Sequence, residues 1–555
     1  MRQIDLGGMS FAELRENGMY YVDKTGLIKD ILDSNRFGVY LFTRPRRFGK
    51  TVNLSMLDAF FNIEYKGNKW FDGLEISRYP EYEAYKNAFP VIRLNLNSTK
   101  KDTYASYINK MREAVRDAYR PHRYLLERPD LDAIVRRNFE ALDRMDIDED
   151  SLSSSIKSLS GAIAETVGTK PIILIDEYDA AATNSYGMEV HEEILKFLRD
   201  LLESSLKTNE NRQMAYMTGV MQIAKQSIFS GLNNVTVNNI FSKRADEKFG
   251  FTESEVETIL KDYGHPEKIS EAREWYDGYR FGDAEVYNPY SIMNYVYERF
   301  EPGPYWIDSG SDAVIKQLLM SLNDDTYADV LGLVAGSSIV TELTGELAYG
   351  ELKTSGEALY SLMAISGYLK AVPLGEGKFD ISIPDREVGS AVDKMIRKSY
   401  PISDSAFNDF NRAVLEQNAD KMTEVLQKIM FSSSYMNLAE STYQAVIMTI
   451  MHGLSRTYDV KTESEEGNGR VDIILRSRSD DRPNMIFEIK KADTEERLGT
   501  EIDEALAQIH KRRYYLGMPG KVILVGLAFF GKIPKGRIET IDNGTDGTGM
   551  LQSHI

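Results

Sequence analysis

The chain of 555 residues contains no cysteine and only six histidines. Without cysteine, the protein can form neither disulfides nor thiolate zinc sites. No two of the histidines stand at a spacing that is typical of metal ligands. Any bound metal is therefore expected to be a hard cation such as Mg²⁺, held by carboxylate oxygens.

Long apolar runs are also missing. The longest candidate, KVILVGLAFFGK at 521–532, is bounded by lysines and is shorter than the roughly 18 residues that a membrane helix needs. The N-terminal sequence MRQIDLGGMS has no basic stretch followed by an apolar run, so it does not resemble a signal peptide. We expect a cytoplasmic protein without membrane contact.

The chain has fewer basic than acidic residues, 67 Lys and Arg against 85 Asp and Glu, which gives a net charge of −18. A uniformly acidic surface would repel nucleic acid. The segment 508–537 reverses this balance, because it contains seven basic residues and no acidic one: Lys511, Arg512, Arg513, Lys521, Lys532, Lys535 and Arg537. This segment is either a solvated basic edge or a surface for an anionic partner.

The first half of the chain alternates apolar strands with helical patterns. Strands are predicted at 37–42, 91–96, 171–175 and 214–218, and helices at 51–62, 108–119 and 156–166. The acidic stretch DIDEDS at 146–151 is interpreted as the tip of a loop. Strands that alternate with helices predict an α/β fold with a parallel sheet covered on both faces.

The pattern changes twice along the rest of the chain. We predict a first domain at 1–256, a mostly helical middle or lid region at 257–404, a second α/β domain at 405–540 and a disordered polar tail at 541–555. In the middle region, WYDGYRFG at 275–282 is interpreted as a packed aromatic turn and not as a binding site.

A phosphate-binding loop is predicted at 44–51, RPRRFGKT. The usual motif, G-x-x-x-x-G-K-[ST], is matched at Gly49, Lys50 and Thr51, whereas Arg44 replaces the first glycine. Gly49 would allow the backbone to approach the phosphates, Lys50 would contact the β- and γ-phosphates and Thr51 would ligate Mg²⁺.

A second motif supports nucleotide binding. The apolar run IILIDEYD at 172–179 ends in two carboxylates, which suit the carboxyl edge of a parallel sheet where ligands bind. Asp176 would hold Mg²⁺ and Glu177 would polarise the attacking water. Thr218 ends the next strand and is either a polar sensor of the γ-phosphate or a plain strand cap.

The C-terminal domain carries a further cluster of charged residues. VDIIL at 471–475 and MIFEIK at 485–490 are predicted to form a hairpin with Glu488, Lys490 and Ile486 on one face. Asp472 and Glu488 would hold Mg²⁺ for phosphodiester hydrolysis, while Lys490 would orient the nucleophile. Helices are predicted at 440–454, with Glu440 as a further carboxylate, and at 501–515, with Gln508 near the site. Tyr514 and Tyr515 would be available to stack on bases.

These motifs resemble two known families. YVDKTGL at 21–27, RPRRFGKT, LIDEYD, SIFSGLNN at 227–234 and FGFTESEV at 249–256 are similar to the AAA-ATPase-like family, whose P-loop also lacks the first glycine. The resemblance implies an ATP site that includes Arg46 and Arg47. Gln222 stands where the family tends to place an arginine, which leaves the position of any γ-phosphate-sensing arginine open.

The order of Asp472, Glu488 and Lys490 resembles the PD-(D/E)XK nuclease superfamily, several members of which use a glutamine in the manner of Gln508. The resemblance implies an ATP-binding and ATP-hydrolysing protein coupled to Mg²⁺-dependent cleavage of nucleic acid, DNA in preference to RNA. The alternative is a nucleotide-dependent switch or assembly protein whose C-terminal domain only binds nucleic acid or a partner. Related ATPases often form homo-oligomers, so self-assembly is a further expectation.

Overall fold

The structure is a computed structural model that describes residues 2–34, 38–97, 103–223, 235–306, 314–315, 318, 324–334, 336–347, 352, 356–399, 404–432, 440–454, 457–466, 469–479 and 482–543. The chain divides into two compact units. Unit 1 comprises Met1–Ile315, Thr341–Phe379 and Pro384–Val388. Unit 2 comprises Lys316–Val340, Asp380–Ile383 and Gly389–Ile555.

Unit 1 is built on a five-stranded parallel sheet. In chain order its strands are β1 (Val39–Thr43), β2 (Val91–Asn95), β3 (Ile172–Asp176), β4 (Met214–Gly219) and β6 (Val235–Asn238). They lie side by side in the order β2-β3-β4-β1-β6, and every neighbouring pair is parallel. The four predicted strands and their parallel arrangement are confirmed, and β6 is an additional strand that the sequence pattern did not reveal.

The strands that carry the predicted site are the most completely buried. Every residue of β1, β3 and β4 is buried. Continuous apolar runs are characteristic of strands that are covered on both faces. The polar residues at the ends of β3 and β4 therefore lie where the apolar layer stops.

The helices of unit 1 cover this sheet and extend beyond it. They span Phe11–Glu16, Gly26–Ser34, Lys50–Phe61, Tyr104–Tyr119, Ala133–Arg144, Glu149–Val167, Ala180–Ser185, His191–Leu202, Glu253–Asp262, Ile269–Tyr276, Pro289–Tyr297 and Gly356–Ile365. One prediction is only partly right: residues 146–148 connect two helices, but Asp148 caps a helix that begins at Glu149. The carboxylate of Asp148 accepts from the backbone N–H of Ser151, as is usual for an N-cap.

The aromatic segment at 275–282 is part of the packing of unit 1. Tyr276, Tyr279 and Phe281 are buried, and the last two lie on a short strand. The interpretation as a packed turn is confirmed.

The remaining short strands are β5 (Gln222–Ile223), β7 (Tyr279–Phe281), β8 (Ala284–Val286), β9 (Ile339–Glu342), β10 (Glu346–Leu347), β11 (Lys370–Gly375) and β12 (Lys378–Ser382).

Unit 2 contains a second five-stranded sheet. Its strands are β13 (Tyr458–Glu466), β14 (Gly469–Ser477), β15 (Asn484–Lys491), β16 (Lys521–Phe530) and β17 (Ile533–Asp542), in that spatial order. Only β15 and β16 run parallel. The predicted hairpin of β14 and β15 is confirmed by their antiparallel register, in which Ile474 pairs with Ile486.

Helices lie on both faces of this sheet. Phe487 and Ile489 pack into a core with the helices Asp404–Leu415, Ala419–Ser432 and Glu440–Met451. Ile486 packs into a second core with the helix Leu498–Arg512. Because side chains alternate along a strand, Glu488 and Lys490 share the face of Ile486, as predicted. The helices Asp324–Val334 and Arg386–Ser399 are the remaining α-helices of the described residues.

The end of the helix Leu498–Arg512 corrects another expectation. Arg513 adopts a left-handed conformation with φ 52° and ends the helix before the two tyrosines that follow. Tyr514 and Tyr515 are 1% and 9% exposed and belong to the core on this face. They are therefore not available to stack on bases.

The C-terminal sheet extends past the predicted start of the tail. Strand β17 ends at Asp542, and the buried amide of Asn543 donates to the carbonyls of Tyr515 and Met518. Residues 544–555 lie outside the described part of the chain. Within the described residues, no helix is both long enough and apolar enough to cross a bilayer.

Candidate functional site

The predicted phosphate loop connects β1 to the helix Lys50–Phe61. Gly49 has φ 77°, a left-handed conformation that glycine adopts without strain, and caps the helix. The Lys50 ammonium donates to the carbonyls of Arg44 at 3.0 Å and Pro45 at 2.8 Å. The lysine thus lies across its own loop beside the N-terminus of the helix, where an anion is favoured.

Arg44, which replaces the first glycine of the motif, is fully buried. Its guanidinium donates to the carbonyls of Thr43 and Asn238 at 2.8 and 2.9 Å and lies about 5 Å from the ring centres of Phe249 and Phe281. Burial lowers its pKa to about 9. The side chain therefore points into unit 1 and supports the loop from the protein interior.

Asp176 lies where the predicted magnesium site requires a carboxylate. Thr51 Oγ1 donates to Asp176 Oδ2 at 2.9 Å, and Thr218 Oγ1 donates to Oδ1. The structure thus brings together Thr51, Asp176 and Thr218 from the helix and the ends of β3 and β4. This donor set of a hydroxyl and a carboxylate fits a hard cation such as Mg²⁺.

Glu177 follows directly and has an unusual backbone. Its φ is 51°, and its N–H donates to Asp176 Oδ1 at 3.1 Å. Burial and the neighbouring Asp176 charge raise the pKa of Glu177. Burial lowers the pKa of Lys50 to about 8 in spite of the carboxylates around it.

A cavity of about 830 Å³ adjoins these groups. It is lined by the predicted nucleotide-binding residues Arg46, Arg47, Gly49, Lys50 and Thr51, and also by Glu177. This volume is within the range of sites for small molecules and cofactors.

Asp179 is a supporting residue that the sequence interpretation missed. It is buried, and its Oδ2 accepts from the N–H groups of Val220 and Met221 at 2.9 and 2.8 Å. A Cβ on Gly219 would lie 2.6 Å from Asp179 Oδ1, so glycine is required there. Asp179 thereby fixes the chain just after Thr218. The third acid of the DEYD sequence, Asp179 itself, was the available signal.

Gln222 does not face the cavity. It is buried, and its amide donates to Glu346 Oε1 at 2.6 Å. The side chain at the position of the family arginine therefore has a structural contact. The motif SIFSGLNN at 227–234 lies outside the described residues.

The second candidate site lies on the sheet of unit 2. Glu488 is fully buried, and its Oε1 accepts from Lys490 Nζ at 3.1 Å and from Gln508 Nε2. Asp472 Oδ2 accepts from the N–H of Ile489 at 2.7 Å. The structure therefore gathers the four predicted residues, Asp472, Glu488, Lys490 and Gln508, around one strand end.

Glu440 contacts Lys490 and Lys491 on β15. Its Oε2 accepts from the N–H of Lys491 at 3.0 Å, and its Oε1 lies 3.7 Å from Lys490 Nζ. Both oxygens thus support the strand that carries Glu488 and Lys490. In the described part of the chain, no group of three or more His, Cys, Asp or Glu side chains forms a metal site.

The protonation of this cluster is strongly perturbed. Burial raises the pKa of Asp472 to about 6, and burial together with the Asp472 charge raises that of Glu488 to about 7. Burial lowers the pKa of Lys490, but the charges of Glu488 and Glu440 outweigh this effect and raise it overall.

Glu488 Oε2 is buried and has no hydrogen-bond partner among the described residues. A buried unpaired carboxylate oxygen is costly unless a proton or a cation satisfies it. Beside Asp472, this oxygen suits a divalent cation.

The basic segment at 508–537 is only partly free to attract an anion. Lys511, Arg512 and Arg513 are exposed at the end of the helix. Arg537 pairs with Asp503, which offsets its charge. Lys521 and Lys535 are exposed as well, so the positive charge extends from the helix end to β16 and β17.

Two family models match separate parts of the chain. Residues 5–229 match the family model of predicted AAA-ATPases, and residues 438–534 match that of the PD-(D/E)XK nuclease superfamily. Both resemblances drawn from the sequence are confirmed. The AAA-ATPase-like region contains the P-loop, Asp176 and Thr218, and the nuclease-like region contains Asp472, Glu488, Lys490 and Gln508.

Individual relatives add little about activity. The chain is 24% identical over 547 residues to an uncharacterised protein in the vnfD 5′ region of Azotobacter chroococcum mcd 1, covering 95% of this chain and 96% of that one. The solved ORC2 protein of Aeropyrum pernix is 11% identical, with 70% of this chain and 93% of that chain covered and a TM-score of 0.23. That score is too low to support an argument.

Proposed function

We propose that the protein binds and hydrolyses ATP in unit 1 and cleaves phosphodiester bonds of nucleic acid in unit 2. The observation that carries the first part is the convergence of Thr51 and Thr218 on the two oxygens of Asp176. This arrangement is suited to a nucleotide-bound Mg²⁺, which would neutralise phosphate charge. Lys50 would hold the β- and γ-phosphates, and Glu177 would orient the attacking water.

The second part is supported by the buried cluster around Glu488. Asp472 and Glu488 would hold Mg²⁺, which supplies Lewis-acid chemistry at the scissile phosphate. Lys490 Nζ lies 3.1 Å from Glu488 Oε1. The ammonium of Lys490 would orient the nucleophile or offset negative charge at the site. Gln508 fixes the Glu488 carboxylate by its hydrogen bond to Oε1.

Nucleotide binding is tested with Lys50→Ala and Glu177→Gln. The Lys50 variant is expected to lose ATP affinity, because it removes the charge that faces the phosphates. The Glu177 variant is expected to bind ATP but not turn it over. Lys29→Ala is the control, because Lys29 is a partly buried lysine on another helix, where it pairs with Asp33, and does not line the cavity. Unchanged ATP binding in Lys50→Ala would contradict the proposed site.

Cleavage is tested with plasmid DNA and Mg²⁺, with and without ATP. Asp472→Ala is expected to lower the rate by about 100-fold or more, because several kcal/mol of charge stabilisation are removed. Glu504→Ala, which removes an exposed carboxylate from the helix Leu498–Arg512, should match the wild type. If wild type and Asp472→Ala behave alike, unit 2 would instead be a domain that only binds nucleic acid or a partner.

ATP dependence of the same assay tests the coupling between the two activities. We propose that ATP binding gates cleavage, so that Lys50→Ala is expected to remove any effect of ATP on the cleavage rate. Assembly of several chains is a further proposal, and light scattering with and without ATP measures it.

A further inference from the structure

We propose that Tyr290 and Met293, together with Met9, form the nucleobase part of the nucleotide site, and that Arg47 belongs to this part and not to the phosphate part. This inference rests on the proposed function of the P-loop. It adds residues from two segments, one near the N-terminus and one beyond the matched AAA-ATPase-like region. The ligand would be a nucleoside triphosphate with an uncharged planar base.

The 830 Å³ cavity has walls of two different kinds. Lys50, Thr51 and Glu177 provide charged and polar groups suited to a triphosphate and its cation. Tyr290 and Met293 provide an aromatic ring and a thioether. Because the apolar wall has no part in holding phosphate, it is suited to the nucleoside portion of the same ligand.

Tyr290 and Met293 present one apolar face. They lie three residues apart on the helix Pro289–Tyr297, so their side chains are neighbours on its surface. Asn288 caps this helix, accepting from the N–H of Tyr290 at 2.9 Å. The position of the ring is thus set by a capped helix and not by a free loop.

The N-terminal segment supplies a third apolar residue that lines the cavity, Met9. The Asp5 carboxylate accepts from the N–H groups of Gly7, Gly8 and Met9 at 3.1 to 3.3 Å, which fixes the loop that carries Met9. The N–H of Phe11 donates at 2.9 Å to Ser55 Oγ on the helix Lys50–Phe61, which is called the P-loop helix. Met9 is therefore held against the cavity, where its flexible thioether can pack on a planar ring.

Arg47 connects the loop to this apolar wall. Its guanidinium carbon lies 3.8 Å from the ring centre of Tyr290, which is a close cation–π contact. The Arg47 backbone is in the left-handed region, with a φ of 69°. Held in this way, Arg47 lies beside the base and leaves Arg46 and Lys50 as the loop cations for the phosphates.

The test compares two ligands that share phosphates but differ in the base. Isothermal titration calorimetry of the full chain would measure ATP and inorganic tripolyphosphate, both with Mg²⁺. Tyr290→Leu is expected to weaken ATP binding about tenfold, since a stacking contact is lost, and to leave tripolyphosphate binding unchanged. Tyr290→Phe keeps the ring and is expected to bind ATP like the wild type.

The same helix offers a matched control. Tyr297 is 57% exposed and does not line the cavity, so Tyr297→Leu is expected to bind both ligands like the wild type. Equal ATP affinity in Tyr290→Leu and wild type would overturn the assignment, and so would an equal loss for both ligands. If the wild type bound neither ATP nor tripolyphosphate, the proposed P-loop function itself would fail.

Discussion

Thr218 Oγ1 donates a hydrogen bond to Oδ1 of Asp176 from the neighbouring parallel strand. Thr51 holds the other oxygen of the same carboxylate at 2.9 Å. Both acceptor atoms of a buried acid are thus fixed by hydroxyl groups, one from the P-loop helix and one from β4. Any cation bound by Asp176 would contact a carboxylate whose orientation is already determined.

Thr218→Val is expected to lower the rate of ATP hydrolysis roughly tenfold, because the shape is kept but the hydroxyl that orients Asp176 is lost. The turnover rate at saturating ATP is the measurement. Thr218→Ser restores the hydroxyl and should retain most of the activity. A Val variant as active as the wild type would show that Thr218 is only a strand cap.

ATP affinity is expected to fall at high pH because of Lys50. Burial lowers the pKa of this ammonium to about 8, whereas a bound triphosphate favours the charged form. Binding therefore takes up a proton once the pH exceeds about 8, and the Kd should rise up to about tenfold per pH unit above that value. Calorimetric titrations between pH 7 and 9.5 measure this slope.

The matched control is Lys50→Arg, because a guanidinium remains charged over this range. If this variant binds ATP at all, its affinity should be nearly independent of pH. A wild-type Kd that stays constant from pH 8 to 9.5 would show that Lys50 does not contact the phosphates.

The local sequence predicted the central strands because their apolar runs are short and bounded by polar residues. It also predicted that Asp176 and Thr218 lie at the carboxyl edge of the sheet, since both end such runs. The strand alternation similarly placed Glu488 and Lys490 on one face. These features depend on local periodicity and on the regular geometry of sheets.

Other features depend on contacts between distant residues and were not predictable in this way. The buried position of Arg44 results from a carbonyl 194 residues away, that of Asn238, and from the ring of Phe249. The burial of Tyr514 follows from the left-handed turn at Arg513, a non-glycine residue without a clear local stop signal. The sequence pattern therefore predicted which side chains lie together in the candidate site, but not the distant contacts that hold the surrounding chain.

Arg44→Gly restores the usual first glycine of the P-loop, yet we expect it to destabilise unit 1 by about 3 to 5 kcal/mol. The change removes buried charge-assisted hydrogen bonds to two carbonyls and leaves a cavity between Phe249 and Phe281. Urea unfolding measures the loss. Arg144→Ala removes an exposed guanidinium and should change stability by less than about 1 kcal/mol. Equal stability of Arg44→Gly and wild type would show that Arg44 has no supporting role.

Glu488→Gln is expected to stabilise unit 2 at pH 8 while removing its response to Mg²⁺. The folded-state pKa of Glu488 is raised from 4.5 to about 7, so between these values the folded state binds a proton that the unfolded state does not. Stability therefore falls as the pH rises through this window, and the full cost is present above pH 7. The difference between the two pKa values corresponds to about 3 kcal/mol.

Calorimetric unfolding at pH 5 and pH 8, with and without Mg²⁺, measures the stability of unit 2 and its response to the cation. At pH 8 without metal, Glu488→Gln should unfold at a higher temperature than the wild type, and at pH 5 most of this difference should disappear. Mg²⁺ should stabilise the wild type at pH 8, because a cation satisfies the unpaired Oε2, but should not stabilise the variant. Glu504→Gln, at an exposed position on the helix Leu498–Arg512, should behave like the wild type throughout. If Mg²⁺ stabilises wild type and Glu488→Gln equally at pH 8, the cation does not bind at Glu488.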